Sequence, residues 1–345
     1  MRINLINIQN EITQQVDKYL QEYYEKDSIA SSLIGFVLDY LKTCRYSQFK
    51  HDDVRPLFTK LGYEIGGGKN SEYILPAMSA IHLLLLSSIP LDDVIDGLER
   101  QTNYAIQDLP SNIAKAYSVS SKLREDCRII IGRNYRELLS YGKIEEIISY
   151  CVESQDGSQA AEINIHGKKL ISKYSLSDYL ELIDQSTSAL LAESFVIGGL
   201  IARIDEKTEK IMRSFGMELG RLAQIRDDYV DYIDPKFTGK FSFADLYGRR
   251  KRFPILSVYW FGSKRQKRKV EEILGKDSLF DEDIYDTMDM ILDEKIRGKT
   301  QRIIDKIYKG ALSSFEQLPK NQPAYSILKE LINLFYIKVD TKINK

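Results

Sequence analysis

Apolar residues recur at helical spacing along almost the whole of this chain, and little interrupts them. Only 8 prolines stand in 345 residues, mostly between the periodic segments. A proline inside a helix removes a hydrogen bond and clashes with the preceding turn, so this distribution favours long helices over strands. Residues 11–27 put Ile12, Val16, Tyr19, Leu20 and Tyr23 on one helical face, and residues 29–43 repeat the pattern. A helix carrying Leu57, Leu61 and Tyr63 follows Pro56 and ends at Gly66-Gly67-Gly68, which reads as an interhelix loop. A long apolar helix then runs into Asp92. Residues 103–112 are polar, contain Pro110, and read as a loop. Helices resume over 113–142 and 143–168. Ser175 with Asp178 three residues on marks another helix start. That apolar run reaches Ile204, and residues 206–232 are periodic again. Residues 233–252 are the most loop-like part. The helical pattern returns at Ile255 and is amphipathic from Asp281 to Lys345, with one turn at Pro319 and Pro323. Strand-like alternation, linkers and short repeats are absent, so the expectation is an all-α protein with one domain over residues 1–345.

Charge and cysteine usage narrow the function. With 49 Lys+Arg against 50 Asp+Glu, the net charge is −1. A nucleic-acid binder needs a basic excess, so no nucleic-acid partner is expected. Cys44, Cys127 and Cys151 are scattered, as are His51, His82 and His166. That excludes a disulfide scaffold and a zinc ribbon and suits a reducing compartment. The N-terminus lacks the apolar core and small-residue cleavage site of a signal peptide. The stretches 74–91 and 188–202 are apolar, but Pro76, His82 and Pro90 interrupt the first, and Glu193 sits in the second. Both read as buried core helices, with no transmembrane segment and a cytoplasmic location expected. The basic run from Lys264 to Lys269 reads as a solvated face.

An aspartate pattern occurs twice. Asp92-Asp93-x-x-Asp96 and Asp227-Asp228-x-x-Asp231 each close a long apolar stretch. The first and last Asp of each set are four apart and share a helical face. Like charges at that spacing repel by roughly 0.2–0.5 kcal/mol, and a helix C-terminus disfavours anions further. One such set is an ordinary acidic face. Two, each ending an apolar helix, point to hard divalent cations. Mg²⁺ takes oxygen ligands and is usually held by one or two carboxylates plus substrate phosphates. All six aspartates are therefore the candidate metal ligands and catalytic residues, with several Mg²⁺ ions clamped on one diphosphate.

These residues carry a resemblance. Phe215-Gly216-x-x-Leu219-Gly220-x-x-x-Gln224-Ile225-x-Asp227-Asp228-x-x-Asp231-Tyr232, continued by Gly239-Lys240, Asp245-Leu246 and Pro254, resembles the second aspartate-rich motif of the trans-isoprenyl diphosphate synthases and its following loop. Tyr179-Leu180-Glu181-x-Ile183 with Thr187-x-Ala189-Leu190 resembles the helix before that motif. Gln159-x-x-Glu162 resembles the family's Gln-x-x-Asp, and Arg55-Pro56 the start of its substrate-binding helix. The resemblance implies the isoprenoid synthase fold, a bundle of long antiparallel helices around a central apolar cavity with both Asp clusters at its mouth. It also implies a homodimer and an allylic prenyl diphosphate substrate. Lys240 and Arg250, where the family has Lys, become the main diphosphate contacts, with Arg226 and Arg100 as further ones. Arg55, Gln159, Thr187 and Gln224 are carried over as substrate-binding positions. An apolar, aromatic pocket drawn from the 22 Tyr and 13 Phe would keep the allyl cation from water.

Four departures shape the expected reaction. The family's Gly-Gly-Lys-Arg stretch is Lys50-His51-Asp52-Asp53-Val54, so two cations have become acids. Leu85 replaces a His or Gln, Glu99-Arg100-Gln101 reduces an Arg pair, and Ser186 replaces the Lys before Thr187. These are the family's contacts to a second diphosphate. The favoured expectation is therefore a terpene synthase that ionises one allylic diphosphate and cyclises or quenches the cation without isopentenyl diphosphate. The alternatives are a chain-elongating trans-prenyltransferase and a non-catalytic partner subunit. Ser87 and Ser88, one helical turn before Asp92, are small where the family closes its pocket with bulky residues, which suggests a chain of C20 or beyond.

Overall fold

The computed structural model describes residues 5–25, 54–96, 109–167, 170–233, 243–276 and 278–339. Among these residues the secondary structure is helical throughout, with no strand. The helices are α1 (Leu5–Glu25), α2 (Arg55–Ile65), α3 (Ser71–Leu86), α4 (Ile89–Asp96), α5 (Leu109–Tyr135), α6 (Tyr141–Gly167), α7 (Leu176–Ile183), α8 (Ala189–Ile201), α9 (Glu206–Ile233), α10 (Ala244–Tyr247), α11 (Phe253–Phe261), α12 (Lys264–Leu274), α13 (Asp281–Ile291), α14 (Glu294–Glu316) and α15 (Ala324–Phe335). The expected segment 29–43, with Cys44 and Lys50 to Asp53, lies outside the described residues.

Helix α8 is the axis of the bundle. All thirteen of its residues are buried. Helix α2 packs on one side and α9 on another. Glycines let these backbones touch. A Cβ on Gly198 would stand 2.0 Å from the Thr59 carbonyl oxygen, and one on Gly62 would stand 2.0 Å from that of Phe195. Towards α9, a Cβ on Gly216 would come within 2.4 Å of Ala192 Cα, and one on Gly220 within 2.5 Å of Ser188 Cα. Gly216 and Gly220 in the second aspartate motif are thus contact glycines that draw α9 onto α8. Helices α3, α5 and α6 enclose the other flank, α1 lies on α3, and α14 covers α9.

Charges inside this core are matched. Glu193, the acid within the apolar run, takes two hydrogen bonds from Arg213 at 2.6 and 2.9 Å. Arg213 also holds Glu209, which accepts from Lys143. Asp126 on α5 accepts from Tyr24 of α1 at 2.9 Å. Cys127 and Cys151 are buried free thiols, and burial pushes Cys127 up to about 12. The stretch Ser71–Asp92 is long and apolar enough to cross a membrane, yet 78% of its apolar window is buried inside the protein.

The structure corrects several expected boundaries. The helix expected to run unbroken into Asp92 is two helices. Pro90 has no N–H for the Leu86 carbonyl, and the ladder breaks at Ser87 and Ser88. Pro76 opens α3 as well, and the Tyr135 hydroxyl fills the gap, accepting from Ala77 N at 3.3 Å and donating to Tyr73 O at 2.5 Å. Helix α5 begins at Leu109, inside the expected loop, and the break after it falls at 136–140 rather than at 142. The apolar run ends its helix at Ile201, where Gly198 and Leu200 carbonyls take the closing bonds. Helix α11 starts two residues early, at Phe253, because Pro254 fits a first helical turn. The tail breaks at 292–293 as well as at 317–323. The basic run forms the first half of α12, capped by Ser263 and Gln266, with Lys264, Arg265 and Arg268 exposed.

Candidate active site

The two aspartate clusters sit in different helical settings. Asp92 lies in the first turn of α4, where the helix dipole favours an anion. Contrary to expectation, the first cluster therefore does not end the long apolar helix but lies beyond the break in the short helix α4, whose last residue is Asp96. Asp227, Asp228 and Asp231 do lie in the last two turns of α9, against the dipole. The side chains of Asp93, Asp96 and Asp231 are outside the described set.

Helix α6 connects the two ends. Gln159 Nε2 donates to Asp92 Oδ1 at 2.8 Å and to the Ser88 carbonyl at 3.2 Å. One turn further along α6, Glu162 accepts from Arg252 at 2.7 Å. Arg252 Nε lies 3.9 Å from Asp245, and its charge acts on Asp228. A single face of α6, read in sequence as Gln-x-x-Glu, thereby reaches both aspartate clusters.

Asp228 is the best-held side chain of the site. It is 2% exposed. Its Oδ2 accepts from the Tyr179 hydroxyl at 2.8 Å and from Phe253 N at 3.0 Å. Its Oδ1 accepts from Gln224 at 2.8 Å. Burial is the largest influence on this carboxyl and pushes its pKa up; Arg252 and the bond from Phe253 N oppose it. Thr187 extends the relay, donating its hydroxyl to Gln224 Oε1 at 2.5 Å. Thr187 sits in a π-helical turn, Asp184–Ser188, that separates α7 from α8. Arg221 pins that turn through two bonds to Asp184. Around this hub, Tyr179, Phe253 and Trp260 form mutual ring contacts, with centroids 5.0 to 6.4 Å apart.

The remaining candidates separate into groups. Asp227 is 60% exposed, with Arg226 Nη1 at 3.8 Å. Arg250, expected on a diphosphate, is 6% exposed and turned to Asp245 Oδ1 at 3.3 Å. Arg55 opens α2 and is half-buried. Ser88 is half-buried, whereas Ser87 is fully buried and bonded back to the Leu84 carbonyl at 2.7 Å. Arg100 and Lys240 lie outside the described residues. Asp245, Arg252, Glu162 and Tyr179 belong to the site by contact, although sequence reasoning assigned them no role. The signal for three of them was present, since Tyr179, Glu162 and Asp245 fall within the motif segments.

The donor chemistry suits a divalent cation. Asp92 and Asp227 offer carboxylate oxygens at partly exposed positions, the hard ligands such ions take. Asp228 does not fit a direct ligand as well, because both lone pairs of its Oδ2 already accept hydrogen bonds. Among the described residues no group of three or more His, Cys, Asp or Glu comes together as a metal site; three of the six aspartate side chains are not among them.

Comparison with known proteins shows the family. The polyprenyl synthetase family model matches residues 42–291. A short chain isoprenyl diphosphate synthase of Methanocaldococcus jannaschii is 24% identical over 298 residues, covering 81% of each chain. A geranylgeranyl diphosphate synthase of Sulfolobus acidocaldarius is 24% identical over 308 residues, 88% of this chain and 92% of the other. The crystal structure of a geranylgeranyl pyrophosphate synthase from Corynebacterium glutamicum, complexed with isoprenyl diphosphate and magnesium, superposes with a TM-score of 0.82 at 14% identity, covering 97% of this chain and all of that one. The fold and site define an all-α isoprenoid synthase. The chain belongs to the polyprenyl synthetase family, whose members are enzymes that use isoprenyl diphosphates. The terpene synthase expectation is corrected here. The relatives matched over most of their length are isoprenyl diphosphate synthases, so the elongating alternative fits better. Of the four departures, Lys50 to Asp53 and Glu99 to Gln101 lie outside the described residues, whereas Leu85 and Ser186 lie within them.

Proposed function

We propose that this chain is a chain-elongating trans-prenyl diphosphate synthase, joining isopentenyl diphosphate to an allylic prenyl diphosphate. The observation that carries the reading is the reach of α6, with Gln159 on Asp92 and Glu162 on the Arg252 that flanks Asp228. That arrangement brings the two acidic ends to one face of α6, as a diphosphate clamp requires. Names of relatives matched over most of their length support elongation over cyclisation.

Asp92, Asp93 and Asp96 on one side, and Asp227 and Asp231 on the other, would hold the metal, for which we infer Mg²⁺. Held by these carboxylates, such a cation would supply Lewis acidity that stabilises a departing diphosphate. Gln159 fixes the Asp92 carboxylate in place. Asp228 keeps α9 registered on α7 and α11, which aims Asp227 outward. Lys240, Arg226 and Arg100 are the proposed cationic contacts to the leaving diphosphate, with Arg55 for the second substrate. Arg250 acts through Asp245. The Tyr179, Phe253 and Trp260 rings keep water from the hub. The new bond forms between the allylic carbon and the alkene of isopentenyl diphosphate, diphosphate leaves with the electron pair, and one proton is released. A homodimer is the proposed assembly, and one domain over residues 1–345 the proposed organisation.

The test is a product assay with Mg²⁺ and geranyl, farnesyl or geranylgeranyl diphosphate, each with and without isopentenyl diphosphate. A longer diphosphate made only with isopentenyl diphosphate is expected. Terpene hydrocarbon or alcohol made without it would overturn the reading.

A further inference from the structure

The helix break before Asp92 creates a polar layer where a prenyl tail would be expected to pass. Ser88 N turns to the Leu85 carbonyl at 3.1 Å. The Leu84 carbonyl is taken up by the Ser87 hydroxyl at 2.7 Å and by Gln155 Nε2 of α6 at 3.4 Å. Against Ser87 lies a charged residue of α5. Arg124 Nε approaches Ser87 Oγ at 3.4 Å. The same guanidinium reaches across to α6 and holds Asp156 through two bonds of 3.0 and 2.6 Å. Two buried polar atoms at this level, Gln155 Oε1 and Ser120 Oγ, have no hydrogen-bond partner. Ser120 stands one helical turn before Arg124 on the same face of α5. Ser87 is five residues, ~7.5 Å along the axis, from Asp92. From sequence the two serines look like an open floor; in the structure Arg124 of the neighbouring helix stands against Ser87.

We propose that the Arg124–Asp156 pair, seated against Ser87, is the stop that ends chain growth. This rests on the elongating reading above. A tail anchored by its diphosphate at Asp92 grows away from it in five-carbon steps along α3. To pass Ser87 it must displace a two-bond, charge-assisted ion pair and leave the guanidinium against hydrocarbon. Asp156 is half exposed, 50% for its side chain, so the pair stays hydrated on one side while it bridges α5 and α6. Small serines remove bulk from the path, and the ion pair restores a limit through polarity.

The experiment compares dephosphorylated products of the wild-type protein and three variants under excess isopentenyl diphosphate. The double variant Arg124→Met with Asp156→Leu should lengthen the main product by one C5 unit or more. Arg124→Lys, which can still pair with Asp156, should leave its length unchanged. If the double variant does not fold, Arg124→Gln keeps the side-chain reach without the charge and carries the same expectation of lengthening. A wild-type protein that elongates, with product length unchanged in the charge-removing variants, overturns the stop alone. A wild-type protein that lengthens no substrate overturns the elongating reading and the stop with it.

Discussion

The two acidic ends of the site are built on opposite plans. At the first, Asp92 lies in the first turn of a short helix, favoured by the dipole and steadied by the Gln159 amide. At the second, Asp228 is sealed inside the bundle by three donors from α7, α9 and α11, and its neighbour Asp227 projects outward. Asp92 is partly buried, whereas Asp228 is the centre of a closed hub. A clamp for a charged group that must enter and leave gains from one firm jaw that fixes geometry and one that can adjust. Adjacent aspartates therefore need not share a task. Asp227 is placed to meet a ligand, and Asp228 is placed to hold Asp227.

The largest expected effect removes the outward carboxylates. Asp92→Ala or Asp227→Ala should lower turnover by roughly 10³-fold or more, because charge stabilisation at the leaving diphosphate is lost. Thermal midpoints should stay near that of the wild type, since Asp227 is 60% exposed and Asp92 is only partly buried. Near-normal turnover in both variants would mean that the clusters are solvated acidic surface.

Next in size is the hub itself. Asp228→Ala strands the Tyr179 hydroxyl and the Phe253 N–H, each costing about 1–3 kcal/mol when buried and unsatisfied. A fall of several degrees in melting temperature is expected, accompanied by lost activity. Asp228→Asn keeps an acceptor in place and should recover most of the stability. Its Mg²⁺ requirement should stay close to the wild type's, whereas Asp227→Asn should raise that requirement. An unchanged melting temperature in Asp228→Ala, or a strongly raised Mg²⁺ requirement in Asp228→Asn, would erase the distinction between the two residues.

Much of this was readable from the chain, for identifiable reasons. Helices followed from periodicity and proline placement, and the start of α7 from Ser175 and Asp178, whose side chains cap each other's backbone as expected. Gln159, Thr187 and Gln224 were marked by resemblance, and the structure joins each of them to an aspartate cluster. The split roles of Asp227 and Asp228 were not legible, because adjacent residues of one type differ only in which face of α9 is covered. Arg124 was not legible either. It lies 37 residues from Ser87, in no motif, and only the packing of α5 against α3 and α4 brings it there. The same limit applies to Arg252 and Glu162, which meet across 90 residues.

The smallest expected effect tests the adjustable jaw. Gln159→Leu removes the amide that steadies Asp92 while keeping similar volume. Residues that orient a ligating carboxylate typically change metal affinity by about 10–100-fold when lost. The variant should therefore need about tenfold more Mg²⁺ for half-maximal rate, with little change in the rate at saturating metal. Its melting temperature should move little, because Gln159 also reaches only the Ser88 carbonyl, at 3.2 Å. If saturating metal fails to restore the rate, Gln159 contacts the substrate directly and does more than steady Asp92. If the Mg²⁺ requirement does not move at all, Asp92 needs no steadying, and the contrast with the Asp228 hub becomes sharper still.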